Sequence, residues 1–394
     1  MSKPLTIAVI GGGIGGTAAA LSLLRAGFAV ELFEQAPAFA EIGAGIQISP
    51  NASRILLRLV PASVLEARAV RPLAVHQRRW DDGRTLQRAV MGDAMAAAFG
   101  SPYYHFHRAD LLMVLASALP EERVHLSHRL VNLEERGNSV ALRFANGAQF
   151  AADVVIGADG IRSVVRERLL GPDAPRFTGC IAYRGLVPRE RVSSLDLELI
   201  AGNWMGPGRH LVHYFVRDGA LLNFVGAIER DAWTKESWTE RGEVADFLAA
   251  YEGWHPQVRG IIGAAEETFI WGLFDRLPLP RWSVGRVTLL GDACHPMLPF
   301  MAQGAAMAIE DGAALAACVS AAADDVPAAL RRYETIRLPR TSRLQELSRV
   351  NKTRFHLPDG PAQMARDAEM AVRGDRSIEA IGWLYGHDAE KIDG

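Results

Sequence analysis

Residues 5–16 read LTIAVIGGGIGG, and no other stretch restricts the fold of this chain as tightly. An apolar run ends at Ile10, Gly11, Gly13 and Gly16 follow in GxGxxG spacing, and a helical pattern runs from Ala18 to Ala26. That order is a strand, a tight turn and a helix N-terminus, the layout in which backbone N–H groups face a pyrophosphate. The first glycine permits the turn, the second lets backbone approach phosphate, and the third lets helix lie on strand. A second apolar run, Ala29 to Phe33, ends at Glu34, 18 residues past Gly16, where a carboxylate accepts from ribose hydroxyls. The unit predicts dinucleotide binding without selecting the dinucleotide.

With 394 residues, the chain exceeds one ordinary core, and two domains are expected. A formal charge of −2 offers nothing to recruit nucleic acid. The three cysteines, Cys180, Cys294 and Cys318, are far apart and odd in number. They predict neither a disulfide framework nor a metal site, and they fit a reducing cytoplasm. No apolar run reaches membrane-spanning length, and the N-terminus lacks the pattern of a signal peptide. A cytoplasmic protein with no membrane partner is the expectation. No fixed-period repeat is present, which excludes solenoids.

Helices are expected over 51–65, 107–119 and 304–320, and through most of 327–372. Residues 73–98 look strand-like, and ADVVIGADG (152–160) reads as a buried strand ending in a turn. The tryptophan-rich stretch 176–271 alternates, as in LVHYFV and LLNFVGAI, which predicts an antiparallel sheet covering a pocket. The expected fold class is α/β. A Rossmann-like dinucleotide domain is assembled from 1–72, 99–175 and 272–394, the last with C-terminal helices. A β-sheet-rich substrate domain, from 73–98 and 176–271, is inserted into it.

Two further segments look built to touch the same long cofactor. DGIRSVVR (159–166) supplies Asp159, Gly160, Ser163 and Arg166; GDACHPMLPFMAQGAAMAIED (291–311) supplies Gly291 and Asp292 before a helix at Gly304. Taken singly, each is a turn with an N-cap acid. With GxGxxG and Glu34 they are the three fingerprints that the chain shares with the flavoprotein aromatic hydroxylases, which it resembles from about residue 4 to 340. These are single-component monooxygenases of the para-hydroxybenzoate hydroxylase superfamily. The pattern here is similar to the salicylate, 3-hydroxybenzoate and 6-hydroxynicotinate enzymes.

The resemblance implies non-covalent FAD in that first domain. It places the pyrophosphate on Gly11, Gly13, Gly15 and Gly16, and the adenosine ribose on Glu34 with Gln35 beside it. Arg108 and Leu130 lie along the adenine and pyrophosphate side, and Asp292 takes the ribityl or pyrophosphate region. Gln47 and the loop with Pro299, Gly304 and Ala305 lie against the isoalloxazine. Asp159 and Gly160 contact FAD and extend to NAD(P)H handling. NADH or NADPH is a transient co-substrate, since no second GxGxxG exists to hold it.

The implied chemistry is hydroxylation: reduced flavin and O2 give an electrophilic C4a-hydroperoxide in a site that excludes water. A phenol near pKa ~10 is mostly neutral at pH 7, so a base or proton relay at its hydroxyl is valuable. The candidates are His210 and Tyr214 in RHLVHYFV; four apart on a strand, they share a face, with His213 on the other. Spacing alone leaves an aromatic core strand with an incidental histidine equally open. The resemblance assigns the pair to poising the substrate hydroxyl.

Gln47 is a third catalytic candidate, at the pocket mouth. By the resemblance, 6-hydroxynicotinate enzymes carry His at its position and 3-hydroxybenzoate enzymes carry Gln. Phe300 stands where relatives place a polar residue or His, which also weakens the 6-hydroxynicotinate reading. His295 and Cys294 read as packing and flavin-loop placement, and no metal site is expected. Tyr103, Tyr104, His105 and His107 form a cluster that is either pocket wall or a half-buried strand; Arg184 is either a carboxylate partner or an ordinary ion pair.

The leading expectation is an FAD-dependent monooxygenase of a small phenolic acid, salicylate-type and decarboxylating if attack falls at the carboxyl-bearing carbon. The alternatives are 3-hydroxybenzoate or 6-hydroxynicotinate hydroxylation. Readings of another class are a nicotinamide dehydrogenase and a catalytically silent flavoprotein. A monomer or homodimer fits the sequence equally.

Overall fold

The computed structural model describes residues 4–39, 44–233, 240–374 and 377–392. Part of the glycine-rich loop at 41–51 lies outside them. A six-stranded sheet forms the first layer, in the order Ser283–Val284, Val287–Leu289, Val154–Gly157, Thr6–Ile10, Ala29–Phe33, Val124–His125. All its pairings are parallel except the edge pair Ser283–Val284 with Val287–Leu289. Its central strand is buried on both faces, which is why it reads as an unbroken apolar run rather than an alternating one.

The helices Ile14–Arg25 and Gly304–Ala321 pack side by side against this sheet. They approach closely because small residues meet: a Cβ at Gly15 would stand 2.8 Å from Ala308 Cβ, and one at Gly312 would stand 2.7 Å from Ala19 Cα. Gly304–Ala321 is long and apolar enough to cross a membrane by composition alone, yet 72% of it is buried inside the protein and it carries Glu310 and Asp311. A core helix covered on all sides has no polar face to show.

The second layer is an eight-stranded sheet, built by 176–275 together with two strands from 74–90. Its order is Arg241–Gly242, Thr268–Asp275, Arg176–Pro188, Leu221–Glu229, Arg209–Val216, Ala201–Gly206, Ala74–Arg79, Thr85–Val90. It is antiparallel save where Ala201–Gly206 runs parallel to Ala74–Arg79. One face packs under the helices Val244–Ala250 and Pro256–Gly263 around Trp204, Phe224, Phe247 and Tyr251. The other face turns toward the loop at 298–300 and the C-terminal helices, with Met205, Ala227 and Trp271 against Leu298, Phe300 and Phe355.

Several expected elements differ in extent. The helix expected over 51–65 is two, Pro50–Leu59 and Ala62–Glu66, because Pro61 donates no N–H and ends the first. The helix expected over 107–119 is shorter, Arg108–Ala116. The tail is more helical than its pattern suggests: Val326–Phe355 runs unbroken through Pro339, and Pro361–Arg373 and Ser377–Tyr385 follow.

Candidate active site

At the turn after Thr6–Ile10, Gly11 sits at φ +110°, and a Cβ on it would meet the Ala158 carbonyl oxygen at 2.4 Å. Gly16 has even less room, since its Cβ would lie 1.9 Å from the Gly11 oxygen. Gly13 is different: no heavy atom lies within 4 Å of a Cβ built there, and the same holds at Gly304. Gly13 is the N-cap of the first helix, and Gly304 is the first residue of the helix after Gln303. Each thus leaves room at a helix N-terminus, as a pyrophosphate requires. FAD therefore fits these residues, as the resemblance implies.

Around that cradle, Glu34 accepts from Gly12 N–H at 2.6 Å through Oε2 and from Ala36 N–H at 2.8 Å through Oε1. Its carboxylate thus braces the glycine turn. Gln35 and Arg108 have exposed side chains, and Leu130 is buried at the start of strand Leu130–Arg136. Asp292 and Pro299 are the exposed residues of a loop otherwise largely buried, and Ala305 is half-buried beside Gly304. Asp159 is engaged by its own chain: its carboxylate accepts from Ser163 Oγ, Val164 N–H at 2.7 Å and Val165 N–H at 3.2 Å. Burial pushes this carboxyl above its ordinary range in spite of those bonds.

The 291–303 loop is held by a buried ionic network. His295 Nε2 lies 2.6 Å from Asp311, which also accepts from Gly291 N–H at 3.1 Å and from Arg337 Nε at 2.7 Å. Glu310 accepts from Arg337, from Arg340 at 2.8 Å and from Asn51 at 2.7 Å. Asn51 donates in turn to Gln303, which donates to Ser49. Burial works against both carboxylates, yet His295 and Arg337 hold Asp311, and Arg337 and Arg340 hold Glu310, below the usual range. The loop-placing role expected of His295 is the one its contacts describe.

The facing surface of the eight-stranded sheet carries the other candidates. His210, Val212 and Tyr214 project from one strand to one face. Across the sheet, Met205 and Ala227 flank His210, Asn203 and Val225 flank Val212, and Asn223 pairs with Tyr214. Arg184 extends the Val212 row beyond Val225, and its guanidinium lies 4.6 Å from the Trp271 ring centre. Asn203 Nδ2 donates to Gln77 at 2.8 Å, while its Oδ1 is buried with no hydrogen-bond partner.

His210 and Tyr214 have different surroundings. His210 stands edge-on to Phe300 with ring centres 4.8 Å apart, contacts Phe355, and bonds through Nδ1 to His356 Nε2 at 2.7 Å. Burial and the neighbouring His356 hold its pKa well below the ordinary imidazole value. Tyr214 lies against His105, 4.4 Å between ring centres, and against Gly45, whose N–H donates to Asn223 Oδ1 at 2.6 Å. Burial raises its phenol above the usual value and lowers His105 to about 3.

Gln47 pairs with His105 on the short sheet Gly45–Ile48 with Tyr104–His107, and its Oε1 accepts from Tyr103 OH at 2.7 Å. That second strand is wholly buried rather than half-buried, because both of its faces are covered. The sequence reading missed His356 and Glu229, which join His210 in one hydrogen-bonded chain. They lie 146 and 19 residues from His210, and no spacing signals a contact between a helix end and a strand end.

The chain is similar to known proteins along nearly its whole length. The sequence matches the FAD binding domain family over residues 5–180 and 236–348. It is 45% identical over 386 residues to a 3-amino-4-hydroxybenzoate 2-monooxygenase of Streptomyces platensis, covering 98% of this chain and 97% of the other. It is 41% identical over 355 residues to a 6-hydroxynicotinate 3-monooxygenase of Pseudomonas fluorescens, covering 89% of this chain and 92% of that one. The fold superimposes on a salicylate hydroxylase solved with substrate at a TM-score of 0.84, with 29% identity and coverage of 100% and 98%.

Proposed function

The chain belongs to the FAD-binding aromatic monooxygenases of hydroxybenzoate and hydroxynicotinate type, and on that footing we propose that its substrate is an amino-hydroxybenzoate. The observation that carries this reading is one sheet face on which His210, the Asn203–Gln77 amide pair and Tyr214 stand in successive register rows. Residues four apart on a strand lie roughly 13 Å apart. A benzoate ring bridges that span once the two side chains reach inward. His210 then meets the phenolic hydroxyl. The unpartnered Asn203 Oδ1, one row on, suits the N–H of an adjacent amino group. Tyr214, with Arg184 nearby in the middle row, suits the carboxylate.

Bound FAD, reduced by NAD(P)H, supplies an electrophilic oxygen from O2. The residues of this chain do the rest. Gly13, Gly304 and Glu34 bind the dinucleotide; Asp292 and Pro299 present the loop that the ionic network fixes. Phe300, Phe355 and Leu298 exclude water beside His210. His210 Nε2, the ring nitrogen that does not face His356, accepts the proton that makes the ring electron-rich. Gln47 steadies Tyr103 at the mouth. On this reading the segments 1–72, 99–175 and 272–394 serve FAD, and 73–98 with 176–271 serve the substrate.

Salicylate ranks behind the amino-hydroxybenzoate. Its two polar groups leave the amide row without a partner, and the relatives of 45% and 41% identity are named for other acids. The test is NAD(P)H oxidation by the FAD-loaded protein with 3-amino-4-hydroxybenzoate, 3-hydroxybenzoate, 6-hydroxynicotinate and salicylate, with products identified. The aminated acid is expected to give the highest kcat/KM and a ring-hydroxylated product. A higher value for salicylate, with stoichiometric CO2, contradicts the assignment.

A further inference from the structure

We propose that His210, His356 and Glu229 form a proton relay carrying the substrate's phenolic proton from the buried face to the protein surface. The inference rests on the reading of His210 above and extends it to two residues outside the pocket. His210 Nδ1 lies 2.7 Å from His356 Nε2, and His356 Nδ1 lies 3.0 Å from Glu229 Oε1. Both rings are buried, at 2% and 5% exposure, whereas the Glu229 side chain is 46% exposed. The chain therefore starts in a dry interior and ends in water.

Its direction follows from what each atom can do. A carboxylate only accepts, so His356 donates from Nδ1 and its Nε2 carries a lone pair. His210 must then donate from Nδ1, which leaves its Nε2 unprotonated. The outer carboxylate thus fixes the tautomer that makes the inner nitrogen a base. In the transfer, the substrate O–H bond breaks and His210 Nε2–H forms. His210 Nδ1–H passes its proton to His356 Nε2, and His356 Nδ1–H passes its proton to Glu229. No electrons are exchanged: a phenolate appears inside and one proton arrives at the surface, where water takes it.

Backbone contacts hold the parts in place. Gly208 N–H donates to the His356 carbonyl at 3.0 Å, Glu229 N–H donates to the Gly208 carbonyl at 2.9 Å, and Tyr251 OH donates to the His210 carbonyl at 2.8 Å. The charged and titratable groups around the chain are Arg209 on the same strand as His210, Cys180 on the next strand but one, and Lys352 on the helix ending at Phe355. Lys352 donates to the Thr178 carbonyl at 2.7 Å, and burial holds the Cys180 thiol up at about 12, so neither enters the chain. Burial lowers both imidazoles, with Glu229 opposing it at His356. Both rings are then neutral at pH 7 and pass protons without storing one.

The test is anaerobic stopped flow of FAD-loaded protein with 3-amino-4-hydroxybenzoate in weak buffer. A pH indicator reports proton release, and the flavin spectrum reports binding. His356→Gln keeps a polar side chain at the helix end, and Glu229→Gln alters only an exposed one. Both are expected to bind with the wild-type flavin signal. Proton release should slow about a hundredfold in His356→Gln, the low end of what general acid–base groups supply, and by about tenfold, less than that, in Glu229→Gln, where water can still take the proton. The pH at which the bound phenol ionises should rise in both. Wild-type release rates in His356→Gln, with normal binding, overturn the relay. If the wild-type protein shows no flavin signal with any of the four acids, the substrate reading fails instead, and the relay with it.

Discussion

Tyr214 packs against the His105 ring, tilted by 44° with 4.4 Å between centres, while His210, four residues earlier on the same strand, contacts Phe300, Phe355 and His356. On the proposed reading, one strand serves two ends of the substrate. Tyr214→Phe is expected to raise the substrate Kd about tenfold, the scale of one lost hydrogen bond to a charged group, with FAD still bound. His210→Asn should instead lower kcat and shift its pH profile. A shifted pH profile in Tyr214→Phe would put the tyrosine on the proton path.

Gly13 and Gly16 separate ligand binding from folding. A Cβ at Gly13 meets nothing, but one at Gly16 falls 1.9 Å from a backbone oxygen. Gly13→Ala should therefore leave the apo-protein Tm within a few degrees and abolish FAD retention, read as the ratio of flavin to protein absorbance. Gly16→Ala should fail to fold. An alanine at Gly13 that purifies fully yellow contradicts the cradle.

Glu34 accepts from two backbone N–H groups, and on the proposed reading it also holds the adenosine ribose. Glu34→Ala should weaken FAD binding by roughly tenfold or more, as expected for lost charge-assisted bonds. Titration of the apo-protein with FAD measures this directly; an unchanged Kd removes the ribose assignment.

Arg337 is fully buried between Glu310 and Asp311. Arg337→Met leaves two buried carboxylates short of a partner and should cost about 3–5 kcal/mol in urea unfolding. The sign of the pH effect follows from the folded-state shifts. Both carboxyls are held below their unfolded values, near ~4, so their stabilisation is present above that pH and is lost as pH falls through the lowered values.

His213 adds a separate dependence: it stays neutral when folded down to about 3, because burial opposes its charge. The unfolded ring takes a proton below ~6.5, so stability falls as pH drops across that window. His213→Leu should flatten the Tm profile there.

The dinucleotide half was legible because its signals are local. GxGxxG, Glu34 and the Gly291–Asp292 turn each sit within one strand–loop–helix, and the structure keeps them there. The alternation of RHLVHYFV likewise placed His210 and Tyr214 on one face. What stayed hidden is long-range. The Gln47–Tyr103 bond, the His105–Tyr214 contact and the His356–Glu229 chain join segments whose own patterns carry no mark of each other. Asp159 shows a different limit: the motif locates it at a strand end, but only the folded structure reveals that helix N–H groups engage its carboxylate.

The most direct measurement is the reaction of FAD-loaded protein with NAD(P)H, isotopically labelled O2 and 3-amino-4-hydroxybenzoate, followed by mass spectrometry of the product. The account predicts one labelled oxygen on the aromatic ring, formed in step with NAD(P)H consumed. Consumption that yields only hydrogen peroxide, with this acid and the other three returned unchanged, would contradict it.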